Sequence, residues 1–108
     1  MVNEPIIMFE IRITADALKD IDDIYNYIST VLMSPQSASS ICAKIRKAIL
    51  SLTYMPKRYS VISQTPNSKN ASRRINVGKY AIIYVVDNNT VTIIAVLYGA
   101  SDIFSKLG

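Results

Sequence analysis

The segment YAIIYVVDNNTVTIIAVLY, residues 80–98, leaves little freedom to the rest of the chain. Two runs rich in β-branched and aromatic residues flank Asp87-Asn88-Asn89, and so short a link joins antiparallel neighbours. Both runs are apolar on both of their alternating faces, which predicts strands at the centre of a sheet. A third run, Arg73–Val77, precedes them across a turn at Gly78-Lys79 and adds another antiparallel strand.

Upstream the periodicity changes. Phe9, Ile11 and Ile13 alternate with Glu10 and Arg12, the pattern of a half-buried strand. Thr14 suits a helix N-cap, and Asp16 suits the positive end of the helix dipole. Leu18, Ile21, Tyr25 and Ile28 recur at helical spacing, with Asp20, Asp22 and Asp23 mostly on other faces. The pattern predicts an amphipathic helix over about 15–31. Ser34 and Pro35 then restart the chain as N-cap and first helical residue. Ala38, Ile41, Ile45, Ala48, Ile49 and Leu52 form one apolar stripe, which predicts a second helix to about Tyr54, stopped by Pro56. The short link implies an antiparallel helical hairpin. Residues 63–72, SQTPNSKNAS, read as a loop. A very short extra strand is expected near RYSVI (58–62), and one short helical turn in the tail SDIFSKL (101–107). The expected class is α+β: an N-terminal strand, then a helical hairpin packed on a small, mainly antiparallel sheet, in the order β-α-α-β-β-β.

At 108 residues the chain is expected to form one domain, with residues 1–7 a flexible extension and Met8 an alternative start. Half the residues are hydrophobic, which argues against intrinsic disorder. The mean hydropathy of +0.23 implies either a well-filled core or an apolar surface that a partner covers. No run nears the roughly 20 apolar residues of a membrane span, and the N-terminus lacks the pattern of a signal peptide. The cytoplasm is the default compartment. The single cysteine, Cys42, excludes an internal disulfide and is expected as a small buried apolar side chain. There is no histidine, which excludes structural zinc; no metal or cofactor is expected. Charge is divided along the chain. Residues 1–40 hold six carboxylates against two cationic side chains, and residues 41–108 hold ten cationic side chains against two carboxylates. A basic half favours an acidic partner, either nucleic acid or an acidic protein segment.

The common catalytic sets are missing: no P-loop, no GxSxG, no cysteine–histidine pair. What remains is Arg, Lys and Tyr, which can cleave RNA without metal. Arginine forks stabilise charge on the phosphate, and a lysine or tyrosine moves protons. The candidates for such a site are Arg74, Arg73, Lys79 and Tyr98; Lys57 and Arg58 extend the basic patch to a binding surface. Adjacent strand residues point to opposite faces, so Arg73 and Arg74 cannot share one without a bulge. A solvated sheet edge, a phosphate contact and a partner contact stay open for these residues. Tyr84 is expected in the core, and Tyr98 at a strand end beside Gly99.

The arrangement resembles the RelE/ParE superfamily of toxins from bacterial type II toxin–antitoxin modules, over about residues 8–107. FEIRITADALKDIDDIYNYI is similar to the family's opening strand and first helix, and LSLTYMPKRY to its helix end. RRINVGKYAIIYVVDNNTVTIIAVLYGASDI is similar to its strands and its closing Y-G-x-x-D. The resemblance implies a toxin held inactive by a cognate acidic antitoxin that wraps the sheet and helices, in a toxin–antitoxin hetero-oligomer. RelE-like members cut mRNA on the ribosome with Lys, Arg and a C-terminal Tyr; ParE-like members inhibit DNA gyrase. Arg74 matches one basic position of the nucleases. Ala81, Gly99 and Ser101 stand where they carry arginine, and Phe104-Ser105 where they carry the tyrosine. The preferred expectation is therefore a ParE-like inhibitor of gyrase that acts by binding. The alternatives are a ribosome-dependent mRNA endonuclease and a non-toxic remnant that only binds antitoxin.

Overall fold

The computed structural model describes residues 7–63 and 71–99. Strand β1 (Glu10–Ile13) leads into helix α1 (Ala15–Asn26), which passes into a π-helical turn at Tyr27–Val31. Helix α2 (Pro35–Ser51) follows, then a 3-10 turn (Pro56–Arg58) and strands β2 (Val61–Ser63), β3 (Ser72–Val77), β4 (Tyr80–Asp87) and β5 (Thr90–Tyr98). The sheet order is β1-β5-β4-β3-β2. β2 to β5 are antiparallel in sequence, while β1 lies parallel to β5. The expected α+β order is observed, and the short strand near RYSVI is β2. The two doubly apolar runs are β4 and β5, both interior to the sheet. Residues 1–6 of the expected extension, residues 64–70 of the expected loop and the expected helical turn in the tail lie outside the described residues.

Local chemistry sets the boundaries. The Thr14 hydroxyl accepts the Ala17 N–H at 3.1 Å and caps α1. Pro35 opens α2 as expected, but Ser34 does not cap the backbone: its hydroxyl bonds the Ser37 hydroxyl at 2.7 Å. α2 ends at Ser51 rather than Tyr54, because Leu52 and Thr53 close tighter bonds to Ile49 and Leu50 and Met55 turns left-handed (φ 50°) before Pro56. Asn88, at φ 54°, makes the two-residue β4–β5 turn, which Asn tolerates better than most side chains.

The helical hairpin packs on one face of the sheet. Ala17, Ile45, Ile49 and Leu52 meet Ile75, Ile82, Tyr84, Val86, Val91, Ile93 and Val96 in one buried cluster. The α2 stripe lies where its spacing puts it. On α1 the inward row is Ala17, Ile21, Ile24 and Ile28, and Leu18 and Tyr25 are exposed. Both rows have helical spacing; the row with the smaller residue at its start faces the sheet. Cys42 is half-buried rather than fully so, and burial raises its thiol pKa.

β5 does not alternate regularly. Ile83 pairs with Ala95 and Tyr84 with Ile93, so Ile94 is an extra residue in β5. Before this bulge the helix-side residues are Val91 and Ile93, and after it Val96; Ile94, Ala95 and Leu97 pack with Ala81 and Ile83 in a second cluster. β1 ends where the bulge begins, with the Thr14 N–H on the Ile93 carbonyl at 3.0 Å. Beyond it α1 takes over: Asp20 Oδ2 accepts the Val96 N–H at 2.9 Å. A carboxylate read as a solvated helix face is thus a fastening of helix to sheet.

A second fastening holds the segment that follows α2. The buried Tyr84 hydroxyl donates to the Pro56 carbonyl at 2.6 Å. On the same sheet face Arg73, opposite Tyr84, donates from Nη1 to the carbonyls of Lys57 (3.0 Å) and Tyr59 (2.8 Å).

Two outcomes test these fastenings. Asp20→Ala strands the Val96 N–H and should cost about 1.5–3 kcal/mol in urea unfolding, with Asp20→Asn costing less because it keeps an acceptor. Burial pushes the Tyr84 hydroxyl up to about 12 from an ordinary 10. A raised folded-state pKa means that its stabilising effect is complete below pH 10 and is lost as pH rises towards 12. Tyr84→Phe should therefore lower stability by about 1–2 kcal/mol at neutral pH, from the stranded carbonyl, yet flatten its decline over that alkaline window.

Candidate functional site

The basic residues singled out by sequence do not converge. Arg73 and Arg74 lie on opposite faces of β3, as strand alternation requires. Arg73 faces the helix side and is spent on the Lys57 and Tyr59 carbonyls. Arg74 pairs with Ile83 on the other face, and its own N–H bonds the Ser60 carbonyl at 3.1 Å. Lys79 sits in the β3–β4 turn and Tyr98 ends β5, four residues of rise from Arg73, or roughly 13 Å along the sheet.

At the Lys79 end, the bulge in β5 brings Tyr98 onto the same face as Tyr80, and their rings meet edge to face with centroids 5.4 Å apart. This pair divides an apolar groove between the hairpin tip and the sheet. One lobe, of about 450 Å³, is lined by Ile28, Leu32, Ile41, Lys44, Val77, Lys79 and the two tyrosines, among others. The other, of about 500 Å³, is lined by Asp23, Ile24, Tyr27, Leu32 and the same tyrosines. Tyr98 is 54% exposed and Leu32 55%, and Met33 beside them is 83% exposed. Burial, and secondarily Tyr98, raise the Tyr80 pKa, so this hydroxyl stays protonated at neutral pH. The groove suits apolar side chains of a partner better than proton chemistry.

At the other end, the second basic cluster is small. Arg58 stacks on the Tyr59 ring (4.9 Å to the centroid), and its Nη2 donates to the Tyr59 hydroxyl at 3.0 Å. Arg58, Tyr59, Ser60, Arg74, Ile75 and Asn76 line a cleft of about 420 Å³. Lys57 is exposed beside it. Among the described residues no three Asp, Glu or Cys side chains group so as to hold a metal ion, and no helix is long and apolar enough to cross a membrane.

Sequence reasoning missed the groove. Its signal was present in YISTVLM (27–33), where only Ser29 and Thr30 interrupt five apolar residues, more than one inward stripe takes up. Tyr98 could not be assigned to the groove face, because simple alternation from Val91 puts it on the opposite side.

Comparison with known proteins places this geometry. The family model described as the ParE toxin of the type II toxin–antitoxin system parDE matches residues 11–103. No curated protein sequence matches. Among solved structures, the chromosomal ParDE system of P. aeruginosa is similar at 19% identity with a TM-score of 0.72, over 86% of this chain and 98% of that one. The RelBE2 toxin–antitoxin complex of Mycobacterium tuberculosis is similar at 19% identity and a TM-score of 0.60, over 84% and 98% of the two chains. The archaeal RelE–RelB complex of Pyrococcus horikoshii is similar at 16% identity and a TM-score of 0.59, over 84% and 94%. At these identities the likeness is one of fold. With its family match running over nearly the whole described fold, the chain belongs to the ParE toxins of type II toxin–antitoxin systems.

Proposed function

We propose that this toxin stops growth by binding DNA gyrase, without catalysis of its own, and that a cognate acidic antitoxin neutralises it in a hetero-oligomeric complex. The observation that carries the reading is the separation of Arg73, Arg74, Lys79 and Tyr98. Metal-free RNA cleavage needs cations and a proton-transfer group around one phosphate. Here Arg73 is turned to two backbone carbonyls, Arg74 lies on the opposite face, and Lys79 and Tyr98 are at the far end of the strands. Membership of the ParE toxins supports the same direction.

The apolar groove supports a protein partner. Exposed Tyr27, Leu32, Met33 and Tyr98 form the kind of apolar patch that a partner covers. The M. tuberculosis and P. horikoshii neighbours are toxin–antitoxin complexes, which supports an antitoxin as one such partner. A gyrase target places the action in the cytoplasm, and the reading needs no cofactor. One observation favours the endonuclease alternative: Arg58 and Arg74 line one cleft. A protein that no longer stops growth but still binds antitoxin would be the remnant.

Purified toxin, freed of antitoxin, should inhibit supercoiling by gyrase at micromolar concentration and leave ribosome-bound mRNA uncut in primer extension. Cuts at the A-site codon that vanish with Arg74→Ala would overturn the reading in favour of the nuclease.

A further inference from the structure

The cleft between the 3-10 turn and β3 has features that the gyrase reading does not use. Its two cations come from different elements and are aimed differently from their neighbours. Arg58 is fixed over Tyr59 by stacking, by the 3.0 Å bond from Nη2 to the phenol oxygen and by a longer bond, 3.4 Å, from Nη1 to the Tyr54 carbonyl, which leaves its other N–H donors for a ligand. Arg74 enters from β3 with Asn76, two residues on and on the same strand face. The remaining lining is Ser60, Tyr59 and the edge of Ile75. Among the described residues no Asp or Glu lines it. Guanidinium groups are planar forks that match a carboxylate with paired hydrogen bonds, and Asn76 and Ser60 offer further neutral donors.

We infer that the Arg58–Arg74 cleft is a carboxylate clamp, which seats an acidic side chain of the antitoxin segment. This rests on the reading of the protein as a toxin neutralised by an acidic partner, and it names where the partner's charge is bound. Nucleic acid fits the cleft less well. A strand of nucleic acid is held by a track of cations along successive phosphates and by open aromatic faces on which bases stack. Here the next cation along β3, Arg73, points to the opposite sheet face and is bound to the carbonyls of Lys57 and Tyr59. One face of Tyr59, the only aromatic ring in the cleft among the described residues, is already covered by Arg58. Two guanidinium groups lining one cleft, without a track or a free platform, suit one carboxylate side chain.

The clamp also complements the groove. The groove takes apolar side chains on the helix side of the sheet, and the cleft takes a charge on the other side of β3. A segment that fills both must pass around the β2–β3 edge of the sheet, so charge at the clamp fixes the register of apolar side chains in the groove.

The test follows the Nε–Hε resonances of the five arginines in the full-length, antitoxin-free protein. The probes are a capped oligoglutamate peptide, oligothymidylate of equal charge, and inorganic phosphate. Oligoglutamate should shift Arg58 and Arg74 and leave Arg12 and Arg73 in place. Arg58→Ala and Arg74→Ala should each weaken it about tenfold, the loss of one charge-assisted pair, while Lys44→Ala, in the groove, changes it less than about twofold. Equal shifts at all five arginines, tighter binding of oligothymidylate at the same two, or equal competition by phosphate would each overturn the clamp. The gyrase assay separates the two readings. Peptide seated by a protein indifferent to gyrase removes the target and keeps the clamp; normal gyrase inhibition without a seated peptide removes the clamp alone.

Discussion

The extra residue in β5 sets the geometry of the apolar groove. A regular strand from Val91 to Tyr98 would put Val91, Ile93, Ala95 and Leu97 under the helices and turn Tyr98 away. The bulge at Ile94 lets Val91, Ile93 and Val96 share the helix side, which carries Tyr98 to Tyr80. A bulge leaves backbone groups without a ladder partner, and here β1 stops just short of it. Asp20 supplies the missing acceptor from α1, 76 positions away in sequence. One side chain therefore completes the sheet edge, anchors the helix and stabilises the strand shift that builds the groove.

A related economy governs the segment after α2. Met55 enters it in a left-handed conformation, and Pro56–Arg58 cannot join a strand ladder. Its carbonyls at Pro56, Lys57 and Tyr59 are satisfied by Tyr84 and Arg73 from neighbouring strands. The buried Pro56 carbonyl left unpaired would cost about 1–3 kcal/mol, and the part-buried Tyr59 carbonyl gives Arg73 a structural task that competes with any role on a substrate. The adjacent Arg74, one position further along the same strand, escapes that task because alternation turns it to the other face.

Much of this was legible in the sequence, for reasons that are local. The Thr14 cap, the Pro35 start, the α2 stripe and the doubly apolar hairpin are each dictated within a few residues, and strand parity alone separates Arg73 from Arg74. The errors concern choices that only tertiary packing makes. α1 carries two acceptable apolar rows, and Ala17 rather than Leu18 begins the inward one because the small side chain allows close approach to β5. Asp20 read as solvated because its partner is a backbone N–H in a distant strand. The bulge has no signature in VTIIAVLY, since every residue there is acceptable on either face. The groove inherited that ambiguity.

The exposed apolar tip follows from chain length. Only Leu32, Met33 and Ser34 separate the π-helical turn from Pro35. Proline restrains the residue before it to extended conformations, and Ser34 is accordingly non-helical, at φ −132° and ψ 76°. Met33 must reverse the chain at φ 53°. In so short a link Val31, Leu32 and Met33 cannot fold back onto the core; the Leu32 N–H closes on the Tyr27 carbonyl at 3.1 Å, and the three side chains face outward. Polar residues would satisfy the same backbone. An apolar set here gains nothing in the isolated chain, and it is the kind of surface that a partner would cover. The groove opens beside this tip, with Leu32 and Tyr98 lining both of its lobes. The surface proposed for partner binding is thus the one that the isolated fold leaves least satisfied.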